Sequence, residues 1–247
     1  MHKKRLGVIG GMGPAATAYF FELLTQLADA GTDQEHVEIL IISRPSIPDR
    51  TDYILGRSAE SPVPPIIEAG RTLAALGADL IAIPCVTAHF FFDELAGGIN
   101  APLVNMVRET AGLLTSKGVK SAGLMAADGT VFSGVFSREL EAHGIRAVLP
   151  EKPMQKLVMD LIYNNVKANN PYDLNGFTKV ADDLRANGAE TVILACTELS
   201  LFNRDCELAE GFEDAMEILA RRCLELCGSK VIPRMPATGR RRTDSAP

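Results

Sequence analysis

The chain has 247 residues, and 47% of them are hydrophobic, which is enough material for the core of one large or two small domains. Its formal net charge of -6 at pH 7 excludes a general attraction to nucleic acid or anionic membranes, although Gly239–Arg242 forms a short basic patch. The apolar run near the N-terminus contains glycines and is too short for a signal peptide or a membrane span. We therefore expect a cytoplasmic protein with no nucleic-acid or membrane partner.

Short β-branched segments alternate along the chain with longer amphipathic segments, which predicts an α/β fold with parallel sheets covered on both faces. The predicted strands are Leu6–Ile9, Val37–Ser43, Leu80–Ile83, Leu103–Asn105, Ser121–Met125, Ala147–Leu149 and Thr191–Leu194. The predicted helices are Pro14–Ala30, Pro64–Leu76, Thr87–Leu95, Val107–Lys117, Val131–Ala142, Lys156–Ala168, Leu174–Asn187 and Glu213–Leu226. The Pro-, Ser-, Thr- and Arg-rich tail, residues 233–247, is predicted to be disordered.

The sequence contains an internal repeat. Gly77–Phe90 corresponds to Gly188–Leu201 at an offset of 111 residues, and Lys4–Pro14 corresponds to Lys120–Thr130 at an offset of 116 residues. Offsets this similar indicate one structural unit that is used twice. We therefore predict two similar parallel-sheet α/β domains related by a pseudo-twofold axis, with a cleft between them. The first comprises residues 1–105 together with 207–232, which return to it, and the second comprises residues 106–206.

A cysteine occupies the same position in each repeat, at the end of an apolar strand and before a predicted helix. These residues are Cys85 and Cys196. Ligands of open α/β sheets bind at the carboxyl ends of strands, so we expect the two thiols to face each other across the cleft. A helix N-terminus favours an anion, so either thiol could be a thiolate near neutral pH. We predict that all five cysteines are free and that Cys223 and Cys227 are packing residues rather than metal ligands.

Two opposed thiols are suited to one type of chemistry. Inversion of a carbon centre without a cofactor needs a base on one face and an acid on the other, and a thiolate and a thiol can exchange these roles. The cysteine pattern therefore predicts proton transfer by two bases.

Five motifs together resemble the pyridoxal-independent aspartate/glutamate racemase family, over about residues 4–226. The resemblance implies an isomerase that needs no cofactor and no metal, acts on aspartate or possibly glutamate, and forms a homodimer. The motifs are GGMGP at Gly10–Pro14, IPDRT at Ile47–Thr51, PCVTAH at Pro84–His89, VKANN at Val166–Asn170 and ACTE at Ala195–Glu198.

The resemblance also implies roles for individual residues. Cys85 and Cys196 become the acid/base pair, and Arg50 with Lys167 would hold the side-chain carboxylate of the substrate. Threonines and backbone N–H groups after the cysteines would hold the α-carboxylate. Asp49 is a candidate partner of Lys167 in the empty site, and His89 is interpreted as a core or capping residue. The substrate-binding residues implied in this way are Met12, Arg50, Val86, Thr87, Lys167, Thr197 and Glu198.

The chain departs from the family pattern at Val86, where the motif has an asparagine that binds the α-carboxylate. Losing one hydrogen bond to a charged group costs about 1.5–3 kcal/mol if nothing replaces it. Arg44, which follows a predicted strand, is a hypothetical replacement. Ala195 in place of a glycine is a milder change that narrows the pocket.

Three other functions stay open. The segment Gly11–Ala16 fits the start of a dinucleotide fingerprint, which would suit an NADP-dependent reductase with Arg44 near the phosphate, although the paired cysteines would be unexplained. A tight turn that lets the backbone approach a small anionic ligand is the simpler interpretation of these glycines. A dicarboxylate isomerase similar to maleate isomerase would use one cysteine as a nucleophile. A catalytically inactive amino-acid-binding protein would account for Val86.

Overall fold

The computed structural model describes residues 3–206, 208 and 210–233, and its strands form two parallel sheets. The strands are β1 Leu6–Gly10, β2 Ile39–Ser43, β3 Leu80–Ala82, β4 Ser121–Ala126, β5 Arg146–Val148, β6 Thr191–Ala195 and β7 Phe212–Asp214. The α-helices are α1 Pro14–Leu27, α2 Arg50–Ile54, α3 Val63–Ala75, α4 Phe92–Gly98, α5 Met106–Ser116, α6 Asp128–Ser133, α7 Val135–Ala142, α8 Lys152–Asp160, α9 Leu174–Ala186, α10 Thr197–Cys206 and α11 Ala215–Leu226. Asp33–Glu35 and Val86–Phe91 are 3₁₀-helical, and Leu161–Lys167 is a π-helix.

The two sheets repeat one arrangement. In the first sheet the strand order is β2-β1-β3, and in the second it is β5-β4-β6-β7. Strands β1 and β4 therefore hold the same central place, and β3 corresponds to β6. The topology confirms the predicted α/β fold built from a repeated unit.

The central strands β1 and β4 are almost entirely apolar, as expected for strands of parallel sheets that helices cover on both faces. Every residue of β1 and of β4 is buried. One hydrophobic cluster includes residues from both halves and from α11, while two further clusters lie within single halves. Helix α11 contacts both α1 and α5, so it joins the two repeats.

The end of the chain differs from the predicted division. Residues 207–232 were assigned to the first domain, but β7 within that range pairs with β6 of the second sheet. Glu213 belongs to this strand, so the predicted helix begins later, at Ala215. The remaining domain boundaries stay a prediction, and the predicted disorder of residues 234–247 lies outside the described residues.

Several predicted elements are wrong in type or extent. Leu103–Asn105 is not a strand, because only Leu103 forms a bridge, and the Asn105 side chain caps α5 instead. Gly134, with φ 64°, divides the predicted helix Val131–Ala142 into α6 and α7. The segment after Cys85 begins as a 3₁₀-helix, and the predicted helix Lys156–Ala168 ends in π-helical geometry. Across the described ranges, no helix is long and apolar enough to cross a membrane.

Candidate active site

A small inner cavity lies between the two halves, next to the carboxyl ends of β3 and β6. Its volume is ≈ 20 Å³, and both Cys85 and Cys196 line it. All nine residues predicted for the site line this cavity. The full lining is Met12, Asp49, Arg50, Thr51, Cys85, Val86, Thr87, Ala127, Ile162, Tyr163, Lys167, Cys196, Thr197 and Glu198.

Cys85 is held in place by the buried ring of His89. The Nε2 atom of His89 accepts a hydrogen bond from the Met106 amide at 3.1 Å, so the proton resides on Nδ1 and is donated to the Cys85 carbonyl at 2.9 Å. Burial lowers the pKa of His89, which keeps the ring neutral. His89 therefore fixes the backbone of Cys85 and caps α5, as predicted, and does not bind the thiol.

Arg50 extends from the first turn of α2 into the cavity. Asp49 caps this helix by accepting the Asp52 amide at 3.0 Å. The Arg50 guanidinium donates to the Met12 carbonyl at 3.2 Å, and its Nε is buried with no hydrogen-bond partner among the described residues. Burial lowers the pKa of Arg50, but the charges of Cys85 and Asp49 outweigh it and the pKa is raised. The guanidinium is thus a fixed cation beside Cys85.

Cys196 lies beside an acid, whereas Cys85 lies beside the Arg50 cation. Its Sγ donates a hydrogen bond to Oε2 of Glu198 at 2.9 Å, and both side chains are buried. Burial, and then the charge of Glu198, raise the pKa of Cys196 well above its usual range. Burial and the neighbouring acid oppose the effect of the helix N-terminus, so in the empty site they favour the thiol form of Cys196 over the thiolate that was predicted as accessible to either cysteine.

Lys167 approaches the cavity from the π-helix. Its Nζ lies 3.9 Å from Oε1 of Glu198 and 4.2 Å from the centre of the Tyr163 ring. Burial is the largest single influence on the pKa of Lys167 and lowers it, but the charge of Glu198 together with those of Tyr163 and Cys196 outweighs burial, so the pKa is raised and the ammonium stays charged. The predicted ion pair with Asp49 is wrong, since Asp49 is engaged as the cap of α2.

The two halves meet closely behind the thiols. The hydroxyl groups of Thr87 and Thr130 are 3.1 Å apart, which joins the first half to α6. A Cβ atom on Gly129 would lie 2.9 Å from the Cα atom of Thr51, so only glycine permits this approach. The packing of α6 on α2 therefore fixes the distance between the halves at the cavity.

Known proteins share the family and the fold of this chain. The Asp/Glu/Hydantoin racemase family matches residues 9–223. The chain belongs to this family. A solved aspartate racemase from Picrophilus torridus is 32% identical, with 93% of this chain and 96% of that chain covered and a TM-score of 0.80. An aspartate racemase homologue from Pyrococcus horikoshii is 25% identical, with coverage of 91% and 99% and a TM-score of 0.74.

A curated relative broadens the range of activities in the family. The broad specificity amino-acid racemase RacX of Bacillus subtilis is 25% identical over 199 residues, which are 79% of this chain and 86% of RacX. The resemblance inferred from the motifs is confirmed, and the protein is an isomerase by family.

In this racemase-family chain, Arg44 does not take the place of the asparagine that the family motif has at position 86. Val86 is buried, lines the inner cavity and also packs in the central hydrophobic cluster. Arg44 does not compensate, because its Nη1 binds Glu68 at 2.7 Å and Pro65, and its side chain does not line the inner cavity. The same ion pair counts against the alternative of an NADP-dependent reductase, in which Arg44 would lie near the phosphate of the cofactor.

The glycine-rich motif of the racemase family, Gly10–Pro14, permits a close contact between two loops in this structure. Gly11 has φ +91°, and a Cβ atom on it would lie 2.4 Å from the Arg44 backbone nitrogen. The predicted approach of this backbone to a small anionic ligand does not explain Gly11, which instead permits contact between two loops. Gly13 is more open, with the Glu198 side chain 3.6 Å from a Cβ at that position.

Four lining residues were missed by the sequence analysis: Thr51, Ala127, Ile162 and Tyr163. Ala127 follows β4 as Gly11 follows β1, so the repeat offers a signal for it. Tyr163 and Ile162 had no such signal, because an ordinary helix was predicted there. Within the described ranges, no cluster of three His, Cys, Asp or Glu side chains is placed to hold a metal ion.

Proposed function

We propose that this protein racemises aspartate, with glutamate as the alternative substrate, without pyridoxal phosphate or a metal, by two-base proton transfer between Cys85 and Cys196. The observation that carries the proposal is that the two cysteines of the internal repeat line one cavity. The aspartate racemase of Picrophilus torridus, at 32% identity, supports the choice of substrate.

The surroundings of the thiols suggest which one starts as the base. The Cys196 thiol donates a hydrogen bond to Glu198, which suits it to start as the acid, and the cationic Arg50 beside Cys85 suits Cys85 to start as the base. The Cys85 thiolate removes the α-proton and becomes a thiol. The Cys196 thiol then gives its proton to the opposite face of the carbanion and becomes a thiolate. The reverse direction uses the same two groups with their protons exchanged.

The substrate's carboxylates have donors nearby. Thr87, Thr197 and the backbone N–H groups after the cysteines are the candidate donors for the α-carboxylate, whose neutralisation eases formation of the carbanion. In the empty site the Thr87 hydroxyl contacts that of Thr130 and the Thr197 hydroxyl donates to Glu198, so both would reorient toward a substrate. The unpartnered Nε of Arg50 and the ammonium of Lys167 suit the side-chain carboxylate. The inner cavity has room for about one water molecule, which needs roughly 10–15 Å³, so the site must widen to admit an amino acid.

Exchange of the α-proton with heavy water tests the proposal directly. Purified, reduced protein without pyridoxal phosphate is incubated with L- and D-aspartate and with both enantiomers of glutamate. We expect loss of the α-proton signal in NMR together with growth of the opposite enantiomer. Folded protein with reduced cysteines that exchanges no amino acid would overturn the proposal and favour a binding protein or a dicarboxylate isomerase.

Replacing Val86 by asparagine tests the departure from the family motif. The new amide can donate to the α-carboxylate, so we expect KM for aspartate to fall about tenfold, in line with roughly 1.5–3 kcal/mol for a hydrogen bond to a charged group. Steady-state kinetics provides the measurement. Val86→Ala removes the same packing without adding a donor, and KM should not fall. Loss of activity in Val86→Asn would show that the pocket is built for another ligand.

Tyr163 offers a test of how Lys167 is positioned. The Lys167 ammonium lies 4.2 Å from the centre of the Tyr163 ring. We therefore expect Tyr163→Leu to raise KM for aspartate about two- to fivefold, which matches roughly 0.5–1 kcal/mol for a cation–π contact. Tyr163→Phe keeps the ring and removes the hydroxyl that faces Thr51, and should change KM less. Equal effects of the two substitutions on KM would argue against this role of the ring.

The homodimer and the cytoplasmic location implied above stay part of this proposal. Size-exclusion chromatography with light scattering measures the first, and cell fractionation measures the second.

A further inference from the structure

A larger chamber adjoins the inner cavity on the outside. Its volume is ≈ 480 Å³, against ≈ 20 Å³ for the cavity between the thiols. The two spaces adjoin each other, because they share the lining residues Met12, Asp49, Arg50, Lys167 and Glu198. A substrate held between the thiols therefore has open space beyond these shared residues, which we call the collar.

The chamber beyond the collar is apolar. Every residue that lines the chamber without lining the inner cavity lacks a charged or hydrogen-bonding side chain. These residues are Gly11, Gly13, Pro14, Ala15, Ala16, Pro45, Ile47, Val166 and Leu201. These nine residues favour apolar groups, and the side-chain partners for a second carboxylate are confined to the shared residues at the inner end of the chamber.

The charges of the collar point the same way. It contains two acids and two bases, so it has no net formal charge, and Lys167 is already close to Glu198. Aspartate has one methylene between its α-carbon and its side-chain carboxylate, so its side chain would end at the collar. It would leave the chamber empty.

We propose that the outer chamber is a side-chain subsite for neutral α-amino acids with apolar side chains longer than that of aspartate, such as methionine and leucine. This inference rests on the proposed racemase function and extends its substrate range. Each methylene placed in an apolar pocket is worth roughly 10–200-fold in kcat/KM, so the chamber can offset the missing side-chain carboxylate.

Filling the chamber tests the inference. Ala15 is exposed on the first turn of α1 and lines the chamber, while Ala18 is exposed on the same helix and does not line it. We expect wild-type protein to exchange the α-proton of methionine or leucine with kcat/KM within about tenfold of that for aspartate. Ala15→Phe should lower the ratio of methionine to aspartate kcat/KM at least roughly tenfold, and Ala18→Phe should leave the ratio unchanged. Val166→Phe fills the chamber from the opposite wall and should act like Ala15→Phe, and thermal melts verify folding.

The possible outcomes separate the two proposals. Exchange of methionine or leucine that Ala15→Phe or Val166→Phe selectively reduces supports the subsite. Exchange of aspartate alone overturns the subsite and leaves the racemase function intact. Exchange of all these amino acids with no change of ratio in either folded variant also overturns the subsite. No exchange of any amino acid by the wild-type protein overturns the racemase function itself.

Discussion

Cys196→Ala and Cys85→Ala should each lower the rate of racemisation about 10³-fold, within the range of roughly 10²–10⁴ for loss of a positioned acid or base. Each variant keeps one thiol, which can still remove a proton from one face and return a deuteron to it. We therefore expect Cys196→Ala to exchange the α-proton of one enantiomer of aspartate without inversion. Cys85→Ala should exchange the α-proton of the other enantiomer. NMR in heavy water combined with chiral chromatography measures both quantities.

The matched control for these variants is Cys206→Ala. Cys206 is the last residue of α10, and Cys196 directly precedes the first residue of the same helix. Cys206 does not line the cavity. Its substitution should leave racemisation unchanged. Racemisation at the wild-type rate in either single variant would end the two-thiol mechanism. Exchange of the same enantiomer by both variants would show that the thiols do not lie on opposite faces of the substrate.

The sequence predicts the fold well because the internal repeat consists of glycines and buried apolar residues, which few other residue types can replace. Glycines and buried apolar runs recur at nearly constant offsets, and the observed strand orders repeat in the same way. The same repeat places Cys85 and Cys196 at the ends of corresponding strands. For this reason the residues chosen for the site line a single cavity.

The partners of charged residues were harder to predict, since ion pairs here join residues that are far apart in sequence. Asp49 was paired with Lys167, but it caps α2, and an aspartate directly before a short helix was a usable signal for that role. Glu198, two residues after Cys196, became the partner of both the thiol and Lys167. Position in the sequence does not reveal how deeply such an acid is buried.

Local geometry at Tyr163 was also outside the reach of the sequence. The pattern of apolar residues predicts an ordinary helix, whereas residues 161–167 adopt π-helical geometry that directs Tyr163 and Lys167 to the cavity. π-Helical turns occur frequently at functional sites but have no simple sequence pattern. Their side chains are placed by the packing of this segment against α8 and α10, which no periodicity describes.

Glu198→Gln should lower kcat/KM for aspartate about 10- to 100-fold and move the alkaline limb of its pH profile to lower pH. Glu198 accepts a hydrogen bond from the Cys196 thiol. Burial is the largest cause of the raised pKa of that thiol, and the charge of Glu198 is the second largest. An amide at position 198 removes the negative charge, so the pKa of Cys196 falls. The Cys196 thiol must donate its proton in the reaction. In the variant it loses this proton at a lower pH than in the wild-type protein.

The two directions of the reaction respond differently. Because the enantiomers of aspartate have equal free energies, kcat/KM must fall equally in both directions. The asymmetry between Cys85 and Cys196 therefore shows in kcat and KM measured separately for each enantiomer. Glu141→Gln, an exposed substitution on α7, is the matched control and should move neither quantity. An alkaline limb that stays in place in Glu198→Gln, despite lower activity, would reduce Glu198 to a structural partner and remove the assignment of Cys196 as the initial acid.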